Sequence, residues 1–277
     1  MTNRKLARVL SAQATSDGAG VRLKRSIGTA ALDHVDPFLL LDEFGSEDGA
    51  DYIAGFPDHP HRGFETVTYM LAGAMRHRDH AGNEGHLRPG SVQWMTAGRG
   101  IVHSEMPEQE DGLLHGFQLW VNLPAKDKLC EPRYQDIAPE NVPEVTLGDA
   151  QVRIVAGEIS GTLGAVNGIA VGPTYLDIVL PPGGRFEHAL TVSHSAFIYV
   201  YEGSVEVAED GQLQASQLGL LSSGELVSAR AGDDGARMLL IAGEPIGEDI
   251  VRHGPFVMNT REEIHQAIRD FQDGKLG

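Results

Sequence analysis

The sequence has a single cysteine, Cys130, among 277 residues, so a disulfide within one chain is excluded. A chain of this kind suits a reducing compartment. It also contains no run of 18 apolar residues and no apolar segment behind its polar start, so neither a membrane span nor a signal peptide is predicted. These absences predict a cytoplasmic protein that does not enter membranes.

Basic residues are also scarce. The 22 lysines and arginines are outnumbered by 39 aspartates and glutamates, which gives a formal net charge of -17. Such a surface repels polyanions, so direct nucleic-acid binding is not expected, because that affinity comes mainly from cations on phosphates. The chain also lacks a Gly-rich phosphate loop, zinc-finger cysteines and the Ser-His-Asp order of a hydrolase.

What the chain does contain is a series of short β-rich segments divided by turns. It has 34 glycines, and 41% of its residues are hydrophobic. Between residues 56 and 123 the pattern is strand–turn–strand without a long helical period, which predicts an antiparallel sandwich or barrel. One helix is predicted at the C-terminus, where Thr260 and Glu263 form a capping box and Gly274 is placed to end it.

The chain divides into two similar halves. A proline-containing polar stretch at residues 138–143 reads as a linker, so the predicted domains are residues 1–137 and 138–277. The glycine-ended strand patterns near Gly73 and Gly98 recur near Gly203 and Gly224. This alignment places four residues of the second half opposite the metal-ligand candidates of the first: Ala189, Thr191, Ala229 and Ala231. None of these binds metal well, so only the first half is predicted to hold a site, although a one-residue slip would bring His188 into register.

Two pairs of potential metal ligands share one spacing. His59 and His61 form the first pair, and His103 and Glu105 form the second. Side chains two apart on a strand point to the same face, so each pair can present both side chains together. Two such pairs from two strands predict one mononuclear site of three imidazoles and a carboxylate. These ligands suit Fe(II), Mn, Co, Ni, Cu or Zn.

The residues alone leave the carboxylate open. Glu65 shares the parity of the first histidine pair and competes with Glu105, so one could bind the metal while the other orients a histidine. Pro60 predicts a strand at a sheet edge, and Gly63 would leave space beside the metal if the strand runs regularly. The other histidines of this half break the paired spacing and are expected in loops or at the mouth of the site: His77, His80, His86 and His115.

Two segments resemble a known family. Residues 56–67, FPDHPHRGFETV, closely resemble the first signature of the pirin family, within the cupin superfamily. Residues 94–106, WMTAGRGIVHSEM, resemble its second signature. Residues 119–124 and 254–260 match further family segments, so the resemblance spans nearly the whole chain.

The resemblance implies an all-β fold of two cupin (double-stranded β-helix, jelly-roll) barrels packed face to face, with a C-terminal helix. It implies iron in the N-terminal barrel and a C-terminal barrel without metal. Position by position, it gives His59, His61, His103 and Glu105 as the metal ligands, and so selects Glu105 over Glu65.

The resemblance also implies two possible functions. Some family members are quercetin 2,3-dioxygenases, so the chain is expected to be a metal-dependent dioxygenase of a small aromatic oxo-enol such as a flavonol. Glu105 or Glu65 would then accept the proton of the substrate's hydroxyl. Other members are redox-sensitive regulators that bind transcription factors in the nucleus. The alternative is therefore a regulator that binds protein partners without turnover.

Overall fold

The computed structural model describes residues 1–276, which form two compact units. The larger unit contains residues 14–139 together with the chain from Ile246 onward. The smaller unit contains residues 1–13 and 140–245. The inner boundary lies close to the predicted linker. Both ends of the chain, however, depart from the predicted segments 1–137 and 138–277, because each end belongs to the unit formed by the other half.

Strands account for most of the ordered structure. Those up to the junction are β1 (Leu6–Ser11), β2 (Gln13–Asp17), β3 (Val21–Ile27), β4 (Phe38–Ser46), β5 (Phe56–His61), β6 (Phe64–Ala72), β7 (Met75–Asp79), β8 (Glu84–Leu87), β9 (Val92–Thr96), β10 (Ile101–Pro107), β11 (Leu114–Asn122) and β12 (Arg133–Ile137). Those that follow are β13 (Glu144–Leu147), β14 (Ala150–Ala156), β15 (Glu158–Ile159), β16 (Thr162–Leu163), β17 (Thr174–Leu180), β18 (Arg185–Ala189), β19 (Ser195–Val207), β20 (Gly211–Gln214), β21 (Gln217–Leu221), β22 (Leu226–Gly243), β23 (Val251–His253) and β24 (Phe256–Met258).

Helices are few among residues 1–276. Three short 3-10 turns occupy Gly49–Asp51, Ala125–Asp127 and Pro139–Asn141, and one α-helix, α1, spans Arg261–Gln272. Thr260 accepts a hydrogen bond from the Glu263 amide while the Glu263 side chain accepts from the Thr260 amide, so the predicted capping box is present. Within this part of the chain, no helix is long and apolar enough to cross a membrane.

The larger unit contains two large antiparallel sheets and the two-stranded ladder of β23 and β24. One has seven strands in the order β12-β9-β6-β11-β4-β3-β2, and the other has four in the order β5-β10-β7-β8. Neither sheet closes on itself across the described residues. Strand β5 lies at an edge, as Pro60 predicted, because proline cannot donate a ladder hydrogen bond.

The core of the larger unit lies between these sheets. Apolar side chains of both sheets point inward and form one buried cluster with Tyr52, which follows the first 3-10 turn: Val21, Leu23, Phe44, Met70, Met75, Leu87 and Leu114. Burial of each large apolar side chain contributes about 1.5–3 kcal/mol to folding. Helix α1 adds a second cluster, in which Ile264 and Ala267 pack against Phe256 and Met258 of β24.

The smaller unit is built on one nine-stranded sheet. Its main order is β1-β21-β19-β22-β17-β14-β13, with β18 paired to β22 and β20 paired to β19. The N-terminal strand β1 is anchored here, with Leu6 opposite Leu221 in the ladder. The long strands β19 and β22 supply much of the buried core, including Ile198, Val200, Met238 and Leu240.

Candidate metal centre

The four-stranded sheet of the larger unit brings three histidines together. His59 and His61 extend from β5, and His103 extends from β10 directly opposite His59 in the antiparallel ladder. One nitrogen of each ring can be chosen so that all three lie within 4.8 Å of one another. This separation is suitable for three imidazoles around one metal ion. Among residues 1–276, no other group of His, Cys, Asp or Glu side chains meets the same test.

Burial keeps two of these rings in the form that binds metal. His61 is 3% exposed and His103 is 1% exposed. Removal from water penalises the charged imidazolium, so burial lowers the pKa of both rings well below the ordinary value. Neutral imidazole has the free lone pair that a metal requires.

Hydrogen bonds indicate which nitrogens face the ion. Nδ1 of His59 lies 2.8 Å from the carbonyl oxygen of Pro57, which can only accept, so this nitrogen donates and Nε2 keeps its lone pair. Nε2 of His103 is buried and has no hydrogen-bond partner among the described residues. An unpartnered buried polar atom is costly, and a cation among the three rings would satisfy it. The residues therefore fit a metal ion.

Glu105 is near the cluster but outside the group that meets the 4.8 Å test. The β5–β10 ladder is irregular between His103 and Glu105, which places Glu105 opposite Phe56. Such a bulge re-aims the side chains beside it. The Glu105 carboxylate is 5% exposed, and its Oε1 accepts a 2.8 Å hydrogen bond from Thr68.

Thr68 and Gln118 hold the Glu105 carboxylate in position. The Thr68 hydroxyl oxygen is also 2.8 Å from the Gln118 amide atom placed as Oε1. A hydroxyl has one hydrogen, so if Thr68 donates to Glu105, the O and N of the Gln118 amide must be exchanged, and its NH2 group then donates to Thr68. This chain engages one carboxylate oxygen and leaves Oε2 for an ion or a proton.

Glu65 lies on the other side of its strand. Glu65 and Thr68 are three residues apart on β6, so their side chains point to opposite faces. Glu65 is 3% exposed, and its Oε1 accepts a 2.6 Å hydrogen bond from Thr96. The Glu65 side chain therefore points away from Thr68 and the histidine cluster. This direction contradicts the expectation that Glu65 could accept a proton from substrate.

The sequence did not identify His77 as part of this centre. The expectation that His77 lies in a loop or at the mouth is wrong: it extends from β7, is 1% exposed, and places Nδ1 3.2 Å from Nδ1 of His103. Its ladder partner is Glu105. A lone histidine has no spacing signal, so the sequence offered nothing that would have found His77.

The other three histidines take part in separate contacts. His80 accepts a hydrogen bond from the Val102 amide, His86 contacts Glu108 with a largely exposed ring, and His115 lies 2.9 Å from Glu43. None belongs to the three-histidine group.

A cavity of about 540 Å³ adjoins the histidines. His59, His61, Thr68 and Glu105 form part of its polar lining. Its apolar walls come from both sheets: Leu23, Leu40, Phe44, Phe56, Met75 and Trp120. The volume is typical of small-molecule sites. In the smaller unit, the strand pair β18–β22 instead opposes two buried apolar residues, Phe186 and Ala229, which have no ligand atoms.

Two family models match this chain. The one described as Pirin matches residues 20–121, and the one described as Pirin C-terminal cupin domain matches residues 175–277. Together these segments cover more than half of the chain.

Individual relatives match along their whole length. The chain is 53% identical over 268 residues to a Pseudomonas aeruginosa protein provisionally named quercetin 2,3-dioxygenase, with 94% of each chain covered. It is 50% identical over 278 residues to a pirin-like protein of Caulobacter vibrioides, with 100% of each covered. The solved structure of a quercetin 2,3-dioxygenase from Acinetobacter baumannii matches with a TM-score of 0.91 at 33% identity, covering 99% of each chain. These matches confirm the predicted all-β fold with two cupin domains, although its sheets are open.

Proposed function

This chain belongs to the pirin family, and on that premise we propose that it is a metal-dependent dioxygenase that opens flavonols such as quercetin with O2. The observation that carries the proposal is the cluster of His59, His61 and His103 beside a cavity of about 540 Å³. The similarity to proteins named for this activity supports the choice of substrate class.

The proposed metal is iron, with Mn, Co, Ni, Cu and Zn as alternatives. The proposed ligands are His59, His61, His103 and Glu105, because imidazole nitrogens and a carboxylate oxygen suit such ions. When bound, iron would supply a redox-active Lewis acid for the oxygens of the substrate and for O2.

Glu105 is the proposed proton acceptor. A carboxylate at the cavity wall can take the proton of a substrate hydroxyl if it is held within hydrogen-bond reach. Thr68 and Gln118 restrain Glu105 by a chain of two 2.8 Å hydrogen bonds, so the carboxylate does not have to reorganise when substrate binds. This restraint makes Glu105 better placed than Glu65, whose carboxylate is held by Thr96.

The apolar side chains that line the cavity are suited to an aromatic ligand. Phe56 and Trp120 offer flat aromatic surface to an aromatic ligand, and Leu40 adds aliphatic surface, so a bound ligand would displace water from this wall. The ring of Trp120 is itself fixed by contacts with Phe64 and His61, with centroids 4.4 and 5.3 Å apart. Water exclusion strengthens the electrostatic contacts made by the polar end of the substrate.

The test is oxygen uptake with quercetin by protein loaded with a known amount of Fe(II). We expect His59→Ala and His103→Ala each to lose bound metal and to lower turnover at least about 100-fold, since loss of even a hydrogen-bond partner behind a ligand commonly costs 10–100-fold in metal affinity or activity. His86→Ala is the matched control, because His86 lies on β8 of the same sheet and is largely exposed; this variant should keep both its metal and its turnover.

The result also separates the two functions. Normal turnover in His103→Ala would contradict the assigned site. Stoichiometric metal in the unaltered protein, with no oxygen uptake on any flavonol, would instead favour the alternative of a redox-sensitive regulator that binds protein partners without turnover.

A further inference from the structure

We propose that His77 is a positioning residue that selects the tautomer of His103 able to bind metal, an inference that rests on the metal site proposed above. His77 does not belong to the three-histidine group. It would act through His103, by accepting the hydrogen of the His103 Nδ1 atom.

The geometry of the pair is specific. His77 extends from β7 and His103 from β10, and the two strands are neighbours in the four-stranded sheet. Their Nδ1 atoms are 3.2 Å apart, and both side chains are 1% exposed. Water therefore does not compete for either nitrogen, and the two rings must satisfy each other.

Counting hydrogens leaves two arrangements of the neutral pair. Two facing nitrogens share one hydrogen. If His77 donates it, His103 carries its own hydrogen on Nε2 and cannot bind a metal there. If His103 donates it, Nε2 of His103 has a free lone pair, and His77 carries its hydrogen on Nε2.

The surroundings favour the second arrangement. The Nε2 atoms of His103 and His77 are both buried without a hydrogen-bond partner within residues 1–276, so the choice depends on what surrounds each atom. The His103 ring faces the rings of His59 and His61 at centroid distances of 4.4 and 4.9 Å, where a free Nε2 lone pair completes the three-histidine group and a hydrogen would block it. On the His77 side, the neighbouring ring is that of Tyr134, 4.8 Å away at 61°, where an N–H can make a weak contact with an aromatic ring.

The consequence concerns metal affinity. A hydrogen bond behind a ligand histidine fixes its tautomer and ring orientation, and loss of such a partner commonly weakens metal binding 10–100-fold. In most proteins that partner is a carboxylate, a backbone carbonyl or water. Here a second neutral imidazole takes the role, which adds no charge to the centre.

Two substitutions separate positioning from simple packing. Asparagine places an amide oxygen near the position of Nδ1, so His77→Asn keeps an acceptor for His103, whereas His77→Leu fills the space without one. A residue that only packs would tolerate leucine at least as well as asparagine. His188→Leu, which removes a half-buried imidazole from the smaller unit, is the control.

The experiment combines imidazole nitrogen NMR with Zn²⁺ affinity, measured against a competing chelator. In the unaltered metal-free protein we expect the His103 hydrogen on Nδ1. We expect about 10–100-fold weaker Zn²⁺ binding in His77→Leu, and binding within about threefold in His77→Asn and His188→Leu. A His103 hydrogen on Nε2 in the unaltered protein, or equal Zn²⁺ affinity in His77→Leu, would overturn the assignment. If the unaltered protein binds no metal at all, the proposed function fails, but the NMR spectrum still decides the role of His77.

Discussion

At the scale of single residues, Glu65 is a buried carboxylate with no part in the cavity. Burial raises its pKa from the ordinary 4.5 to about 7, against the opposing effect of the Thr96 hydrogen bond. Between pH 4.5 and about 7, the Glu65 side chain is protonated in the folded protein but ionised in the unfolded chain. Stability from this group is therefore present at low pH and is lost as pH rises toward 7.

Replacement of this carboxylate should remove the pH dependence. Glu65→Gln keeps an acceptor for Thr96 and has no charge to desolvate. We expect its free energy of unfolding, relative to the unaltered protein, to rise by about 2–3 kcal/mol from pH 5 to pH 8. Urea unfolding would measure this difference in the free energy of unfolding at each pH. The fluorescence of Trp94 and Trp120, both in the larger unit, would report the transition. A difference that stays constant with pH would show that Glu65 is already ionised in the folded state.

The sequence predicted some residues of this centre and missed others. The three clustered histidines were predicted from same-face spacing, because a strand has a period of two. That period could not separate Glu65 from Glu105, since the chain turns at Gly63 and the parity of β5 does not carry into β6. His77 was missed because its partner His103 is 26 residues away, and only the pairing of β7 with β10 brings them together.

At the scale of elements, the turn between β5 and β6 connects the histidine strand to the larger sheet. Gly63 has φ +86°, and a Cβ at this position would lie 2.0 Å from the carbonyl oxygen of Val257. The expectation that Gly63 leaves space beside the metal is therefore wrong: it leaves space for the backbone of β24. Lys128 closes the same junction by donating to the carbonyls of Gly63 and Val257 and to Asn122.

A pair of glycine substitutions would measure this close approach. Gly63→Ala should cost more than about 3 kcal/mol, because a strained backbone is combined with a clash against Val257. Gly82→Ala is the matched control, since Gly82 has φ +88° with nothing within 4 Å of its added Cβ, and should cost about 1–2 kcal/mol. Urea unfolding of both variants gives the difference. Equal losses would show that the junction relaxes around the new methyl group.

At the scale of the whole molecule, each end of the chain belongs to the compact unit that is formed mainly by the other half. Alternation and turns predicted the strands, and the polar stretch near residue 138 predicted the inner boundary. Neither signal could show that β1 pairs with β21, or that β23, β24 and α1 belong with the larger unit. Such pairings join segments about 200 residues apart, and only the packed chain specifies them.

Removal of either end should damage a different unit. Truncation after Pro245 removes β23, β24 and α1, so we expect amide hydrogen exchange to speed up about 10-fold or more in β5, β6 and β10, with metal binding lost. Deletion of residues 1–13 removes β1, and faster exchange is expected in β19 and β21 instead. Protection lost from the same strands in both truncated chains would contradict the division into these units.

Because each unit contains segments from distant parts of the chain, the two units have all of their segments at different points of translation. A ribosome makes β5, β6 and β10 well before the Val257 carbonyl, which accepts a hydrogen bond from Lys128 and lies against Gly63. The smaller unit has all of its segments once residue 245 has been translated. The support beneath the histidine cluster is therefore complete only after residue 257 has been translated, and a nonsense codon between residues 245 and 257 would release a chain that carries every proposed ligand yet lacks the backbone against which Gly63 and Lys128 pack.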